Sequence, residues 1–141
     1  MLEKAIEIAA RAHTGQVDKA GEPYILHPLR VMSQVTGRHE RTAAVLHDVV
    51  EDTSVTLEDL RSQGFPEPVL EAVEALTKRD GETRIEAARP ARANPIAREV
   101  KIADVRDNMD LRRIPYPTDI DFARLREYEE VLELLNRPET G

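Results

Sequence analysis

The segment Ala43-Ala44-Val45-Leu46-His47-Asp48-Val49-Val50-Glu51-Asp52-Thr53 decides the reading of this chain. Its apolar residues leave almost no polar face, and a helix that is apolar nearly all round is normally buried. Set into it are His47, Asp48, Glu51 and Asp52. On a solvated helix the like-charge pair Asp48/Asp52 would cost only roughly 0.2–0.5 kcal/mol. Burial changes the scale, because an uncompensated carboxylate costs several kcal/mol to bring out of water. A cation or a full set of hydrogen bonds is therefore required. The spacing adds a constraint of its own: in one helix His47 and Asp48 stack over Glu51 and Asp52 at i,i+4, so all four border one cavity. The competing reading, acids solvated at a helix C-terminus, runs against the helix dipole.

Outward from this segment the apolar spacing stays helical, and no stretch alternates with period two between turns. The expected class is all-α, with helices over 2–13, 27–36, 39–51, 56–63, 67–78, 83–92, 95–113 and 119–136. The first is amphipathic, with Leu2, Ala5, Ile6, Ala9 and Ala12 on one face. Thr56 and Asp59 form an N-cap pattern. Between the first two helices, TGQVDKAGEPYI carries Gly15, Gly21 and Pro23 and reads as a structured loop. Pro90 makes the 83–92 helix the weakest of the set. The last helix, with Leu125, Tyr128, Val131, Leu132 and Leu135, is expected to close the core rather than to form a dimer contact. The tail RPETG after Asn136 is expected to fray. No internal repeat or interdomain linker is visible, and 141 residues suit one domain, 1–141, with a single core.

Composition narrows the chemistry. There are no cysteines, so disulfides, thiolate nucleophiles and Cys-based zinc sites are excluded, and a metal must be held by His, Asp or Glu. The N-terminus MLEKAIEIAARAH interrupts any signal-like apolar run with Glu3 and Glu7, and no stretch of about 18 apolar residues exists. A soluble, cytoplasmic protein is expected. The net charge of −7 argues against a nucleic-acid or membrane surface. It leaves room for a phosphorylated small molecule, since a bound divalent cation inverts the local field.

Of the four histidines, His27 precedes Pro28 at a helix start, from which it can point across a cavity. His13 ends an apolar face and reads as a hydrogen-bonded core or loop residue; His39, in GRHERT, reads as solvated. A second acidic cluster, VKIADVRDNMDLRRI, places Asp104 and Asn108 four apart on one face. Asp107 and Asp110 have the better claim to being solvated or paired with Arg106 and Arg113. Together His27, His47, Asp48 and Asp104 would make an N/O site suited to manganese, iron or zinc.

Four segments, HTGQVDKAGEPYILHP (13–28), HDVVEDT (47–53), ALTK (75–78) and KIADVRDNM (101–109), occur in an order that closely resembles the HD-type hydrolase of RelA/SpoT enzymes and the small alarmone hydrolases. The likeness runs from about Ala9 to Asn108. It implies an HD-domain bundle of about eight helices that removes the 3′-pyrophosphate of ppGpp or pppGpp with one divalent ion, most often manganese. By resemblance, His27, His47, Asp48 and Asp104 match the metal ligands, and Glu51 and Asp52 match the acids that position and deprotonate the attacking water. Asn108 matches a nucleotide contact, and Lys19 matches a basic residue near phosphates or base. Gly21 to Tyr24 resemble the loop that frames the pocket and delivers His27. The chemistry suits these residue types, because a metal acidifies its bound water and neutralises phosphoryl charge. Glu51 serves as general base if burial and neighbouring carboxylates raise its pKa.

Two departures bear on the substrate. Asp18 stands where the long enzymes usually carry a basic residue that cradles the purine, and the sequence Asp104-Val105-Arg106-Asp107-Asn108 replaces the more usual Asp-Arg-x-His-Asn. An adenosine alarmone such as ppApp, or the 2′-phosphate of NADPH, stays open as substrate. The arginines at 79, 84, 89, 92 and 98 could form a phosphate lid, although such a run is more often a solvated helix face. From other classes, a nucleotide-binding sensor without turnover predicts binding but no product, and an interaction module with surface acids predicts no metal. Oligomeric state is not legible.

Overall fold

In the computed structural model, which describes residues 1–137, the segment 38–52 is two helices rather than one. The first helix of the chain, α1, spans Leu2–Ala12 and is followed by α2 at Leu26–Ser33, α3 at Arg38–Leu46 and α4 at Val49–Asp52. The break falls on His47 and Asp48, where the sequence predicts an unbroken helix over 39–51. Its cause is local. The His47 ring engages the Ala44 carbonyl through Nδ1 at 2.5 Å, so an imidazole competes for a helical acceptor. The turn resumes at once, with the Asp52 and Thr53 amides donating to Asp48 and Val49 carbonyls.

The remaining helices are α5 (Leu57–Ser62), α6 (Glu67–Leu76), α7 (Arg84–Ala93), α8 (Pro95–Asn108) and α9 (Asp119–Asn136). Thr56 and Asp59 close the expected capping box on α5, and Thr83 with Glu86 does the same for α7. That box, and the burial of Ala88 and Ala91, hold α7 together through Pro90, whose ring removes one helical hydrogen bond. The helix predicted over 95–113 stops at Asn108 and continues as a 3-10 turn at Leu111–Arg113. Asp110 starts this turn by accepting from the Arg112 amide at 3.0 Å. No strand occurs among the described residues, so the all-α class stands. The end of the predicted frayed tail, from residue 138 onward, lies outside them.

Helix α3 is the centre, packing against α1, α2, α6 and α8, while α9 lies across α7 and α8. Thr42, Ala43, Ala44, Val45 and Leu46 are all buried, as the near-absence of a polar face requires. Ala5 and Ala9 of α1 meet this core on their predicted face. From α9, Val131, Leu134 and Leu135 are buried and Tyr128 and Leu132 pack on the same core, so this helix does close it. Leu46→Ala should lower the unfolding free energy by about 2–5 kcal/mol through the cavity it leaves. A thermal melt should read this as a fall of roughly 5–15 °C in Tm.

The loop before α2 is a small pinned hairpin. An isolated antiparallel bridge joins Val17 to Pro23, and the Asp18 and Tyr24 amides donate to the Glu22 and Gln16 carbonyls. Gly21 takes φ +82° at the turn, a conformation that glycine adopts without strain. No helix is long and apolar enough to cross a membrane among the described residues.

Candidate metal centre and phosphate cleft

Three parts of the fold meet at one point. His27 comes from the first turn of α2, His47 and Asp48 from the break between α3 and α4, and Asp104 from the middle of α8. One donor atom from each lies within 4.8 Å of every other. His27 Nε2 is 2.9 Å from Asp104 Oδ1 and 3.6 Å from Asp48 Oδ2. His47 Nε2 is 3.2 and 3.0 Å from the same two carboxylates. Donors sharing an ion at about 2.0–2.2 Å stand roughly 3.0–3.4 Å apart, so the donor set fits a divalent cation. Both Nδ1 atoms are engaged elsewhere, His27 with Asp107 at 2.6 Å and His47 with Ala44 O, which turns both Nε2 atoms to the centre.

The electrostatics agree with a centre built for positive charge. Burial opposes protonation of His47, yet Asp48 and Asp104 outweigh it and hold its pKa well above the usual value. His27 is raised against its own burial by Asp104 and Asp107. Burial alone would push Asp104 up, but Lys101, His47 and His27 hold it well below the ordinary carboxylate range. The lone pairs that attract protons here are the ones a cation would take.

Glu51 and Asp52 of α4 adjoin the cluster through Asp48, with which they form a second group of close carboxylates. Burial and then the Asp48 and Glu51 charges push Asp52 up to about 6. Glu51 is raised by burial and Asp48, against the Lys78 amide that donates to its Oε1 at 2.6 Å. The raised Glu51 is what a general base in this position requires.

The cluster sits in a cleft of about 850 Å³ whose walls include Lys19, Lys78, Arg84, Lys101 and Arg124. A narrower lobe of about 240 Å³ lies between the 17–20 loop, the 3-10 turn and α9. Lys19, Tyr24, His27, Asn108, Arg124 and Tyr128 border both spaces, so the two adjoin. Asn108 donates to Asp104 Oδ1 at 3.2 Å, in keeping with their shared helix face. Asp18 borders the narrow lobe, but its Oδ1 accepts from the Ala20 and Glu22 amides at 2.9 Å and staples the loop. His13 is buried, with Nδ1 on Gln16 Oε1 at 2.8 Å, and His39 is not part of the cluster. Of the five arginines, Arg84 borders the cleft, paired with Glu127 and stacked over Tyr128; Arg79 and Arg89 are exposed.

Three participants were not legible as such. Lys101 Nζ lies 3.0 Å from Asp104 Oδ2. The Tyr24 hydroxyl donates to Asp48 Oδ2 at 2.6 Å, and burial followed by the Asp48 charge raises its pKa. Asp107, expected in solvent or with Arg106 and Arg113, does pair with Arg113 at 3.6 Å, but is held more closely by His27 and Arg30. The i,i+3 spacing from Asp104 turns it toward α2, and the His27 and Arg30 donors there hold it. Asp110 does pair with Arg113, at 3.5 Å, and with Arg112 at 2.8 Å. Because Lys101 competes with any cation for Asp104, Lys101→Met should tighten divalent-cation binding several-fold while slowing turnover. Titration of the free cation against protein measures the first and a product assay the second.

A family profile described as the HD domain matches residues 5–114. The chain belongs to the HD domain family. Among the relatives of this HD domain protein, a probable GTP pyrophosphokinase of Mycobacterium leprae is 34% identical over 145 residues, covering 94% of the chain and 18% of the relative. The guanosine-3′,5′-bis(diphosphate) 3′-pyrophosphohydrolase of Aquifex aeolicus is 42% identical over 55% of the chain and 12% of its own length. The bifunctional (p)ppGpp synthase/hydrolase SpoT of Escherichia coli K12 is 42% identical over 56% of the chain and again 12% of its own length. The HD domain protein thus spans under a fifth of each of these. A solved metazoan orthologue of SpoT, described as hydrolysing ppGpp, superposes with a TM-score of 0.79 at 24% identity, covering 99% of this chain and 87% of that one. At that identity the likeness establishes the fold.

Proposed function

We propose that residues 1–141 act as one metal-dependent phosphohydrolase domain that removes the 3′-pyrophosphate of guanosine alarmones, converting ppGpp or pppGpp to GDP or GTP and pyrophosphate. The observation that carries this is the meeting of His27, His47, Asp48 and Asp104 with Glu51 and Asp52 at the wall of a cleft rimmed by Lys19, Lys78, Lys101 and Arg84. The relatives' names divide between synthesis and hydrolysis. The donor set and the raised acids favour hydrolysis, which needs an activated water.

Manganese is our choice of ion for this N/O donor set. A divalent ion held by the four ligands would supply charge to the phosphoryl oxygens and acidify water. The chain's own residues do the rest. Glu51 accepts the proton of the attacking water, whose oxygen bonds to the phosphorus on O3′ while that P–O3′ bond breaks and O3′ takes up a proton. Asp52 orients the water from the next position on α4. Lys19, Lys78 and Arg84 lie where they can hold the phosphate chains, and Asn108 and Lys19 also border the smaller lobe, which suits the nucleoside. Tyr24 fixes Asp48, so that the carboxylate nearest the acids does not swing away. The nucleotide is the only partner this reading requires, and nucleic acid and membrane have no part in it.

The test is a parallel assay of ppGpp, ppApp and NADPH with Mn2+, separating products by chromatography. Pyrophosphate from ppGpp at the highest kcat/KM supports the proposal. Adenine preference would transfer the reading to ppApp, and orthophosphate from NADPH would replace it, since Asp18 supplies the loop with a staple where a base-cradling cation is usual.

A further inference from the structure

His27 and His47 present Nε2 to the same centre, but they are held by different means. His47 leans on the main chain of its own helix. His27 leans on another helix: its Nδ1 is 2.6 Å from Asp107 Oδ2, while its Nε2 faces Asp104 Oδ1 at 2.9 Å. An imidazole that gives its Nε2 lone pair to a cation keeps its one N–H on Nδ1, where Asp107 stands to accept it. Arg30 grips Asp107 in a two-pronged contact, Nε to Oδ1 at 2.8 Å and Nη2 to Oδ2 at 3.0 Å, and Arg113 donates to its main-chain oxygen at 3.2 Å. A carboxylate paired with a guanidinium stays ionised and can only accept.

The register of two helices produces this arrangement. His27 and Arg30 lie three apart on α2, Asp104 and Asp107 three apart on α8, and each pair shares a helix face. One step along both helices carries the cation centre; the next carries the brace.

We infer that Asp107 and Arg30 are positioning residues for the metal, with Asp107 fixing His27 in the Nδ1–H form and Arg30 fixing Asp107. The inference rests on the cluster being a cation site and is independent of which nucleotide is cleaved. Partners of this kind typically alter metal affinity 10–100-fold. Arg30→Lys keeps the charge but loses the fork, and Asp107→Asn keeps an acceptor but loses the charge.

Mn2+ alone is the probe, titrated into the full chain with free Mn2+ followed by its paramagnetic resonance signal. Asp107→Ala is expected to raise Kd about 10–100-fold, with Asp107→Asn and Arg30→Lys intermediate. Glu67→Gln, which removes an exposed charge paired with Arg61 and away from both spaces, should leave Kd unchanged. With diamagnetic Zn2+ in place of Mn2+, the wild-type His27 ring should show a downfield Nδ1–H resonance and no proton on Nε2, and the Nδ1–H signal should vanish in Asp107→Ala. A purely structural role would lower the metal-free Tm without moving Kd or the tautomer. Wild-type affinity in Asp107→Ala, or in the two milder variants if alanine prevents folding, overturns the inference. A wild-type protein that takes up no Mn2+ overturns both it and the metal-dependent reading. Mn2+ binding with this dependence in a protein that leaves ppGpp intact would sink the alarmone reading and uphold the brace.

Discussion

The His47→Ala protein is expected to lose both Mn2+-induced stabilisation and turnover. His47 gives Nε2 to the cluster while its Nδ1 is anchored on Ala44, so its loss removes one of the four donors. An ion present at about 100 times its Kd stabilises the folded state by roughly 2.7 kcal/mol. At about 2–4 °C per kcal/mol for a chain of this size, that is a rise of roughly 5–11 °C in Tm. This rise should be present in the wild type, abolished by chelator and missing in His47→Ala. Turnover should fall on the order of 10³-fold or more, since the ion supplies several kcal/mol at the phosphoryl centre. Undiminished activity in the chelated variant would refute metal dependence. His47→Gln, which fills more of the buried space, guards against a result due to the cavity alone.

The second large effect is expected at Glu51. Its carboxylate lies beside the cluster without belonging to the four-donor set, and burial and Asp48 raise its pKa. Glu51→Gln should lower kcat by about 10²–10⁴-fold, the usual range for loss of a general base. The Mn2+ shift in Tm should survive and KM should change little, because the amide can still accept from the Lys78 amide. An equal loss of metal binding would instead make Glu51 a ligand. Comparing the two variants therefore separates holding the ion from handling the proton.

The segments of the centre were legible because burial and charge conflict there. Polar side chains in an apolar segment demand an explanation; of the four, His47 and Asp48 turn inward while Glu51 and Asp52, expected to be buried as well, are exposed at the cleft, and His27 and Asp104 supply the missing half from segments far along the chain. The all-α class, the α5 cap and the core face of α9 followed from spacing alone. Two features escaped for physical reasons. Nothing in the composition of 39–51 signals the break at His47–Asp48, because it arises from a side chain competing with the backbone for Ala44 O. Asp107 reads as solvated or paired with Arg106 and Arg113 because it sits in a run of charges; the Arg113 pairing is there, but its tighter partners, His27 and Arg30, lie 80 and 77 residues away in sequence. Lys101 was hidden in the same way, as a lysine on a charged helix that happens to face Asp104.

The shared border between the wide cleft and the narrow lobe has a use in ligand design. Two weak fragments, one anionic against Lys78 and Arg84 and one flat against Leu111 and Ile114, would sit on either side of Lys19 and Asn108. Joining them by a tether that matches the span makes the second contact intramolecular, at an effective concentration in the mM range for a short flexible link. Affinity gained this way needs no chelating group, and an inhibitor so built would spare enzymes that share the metal centre but lack the second lobe.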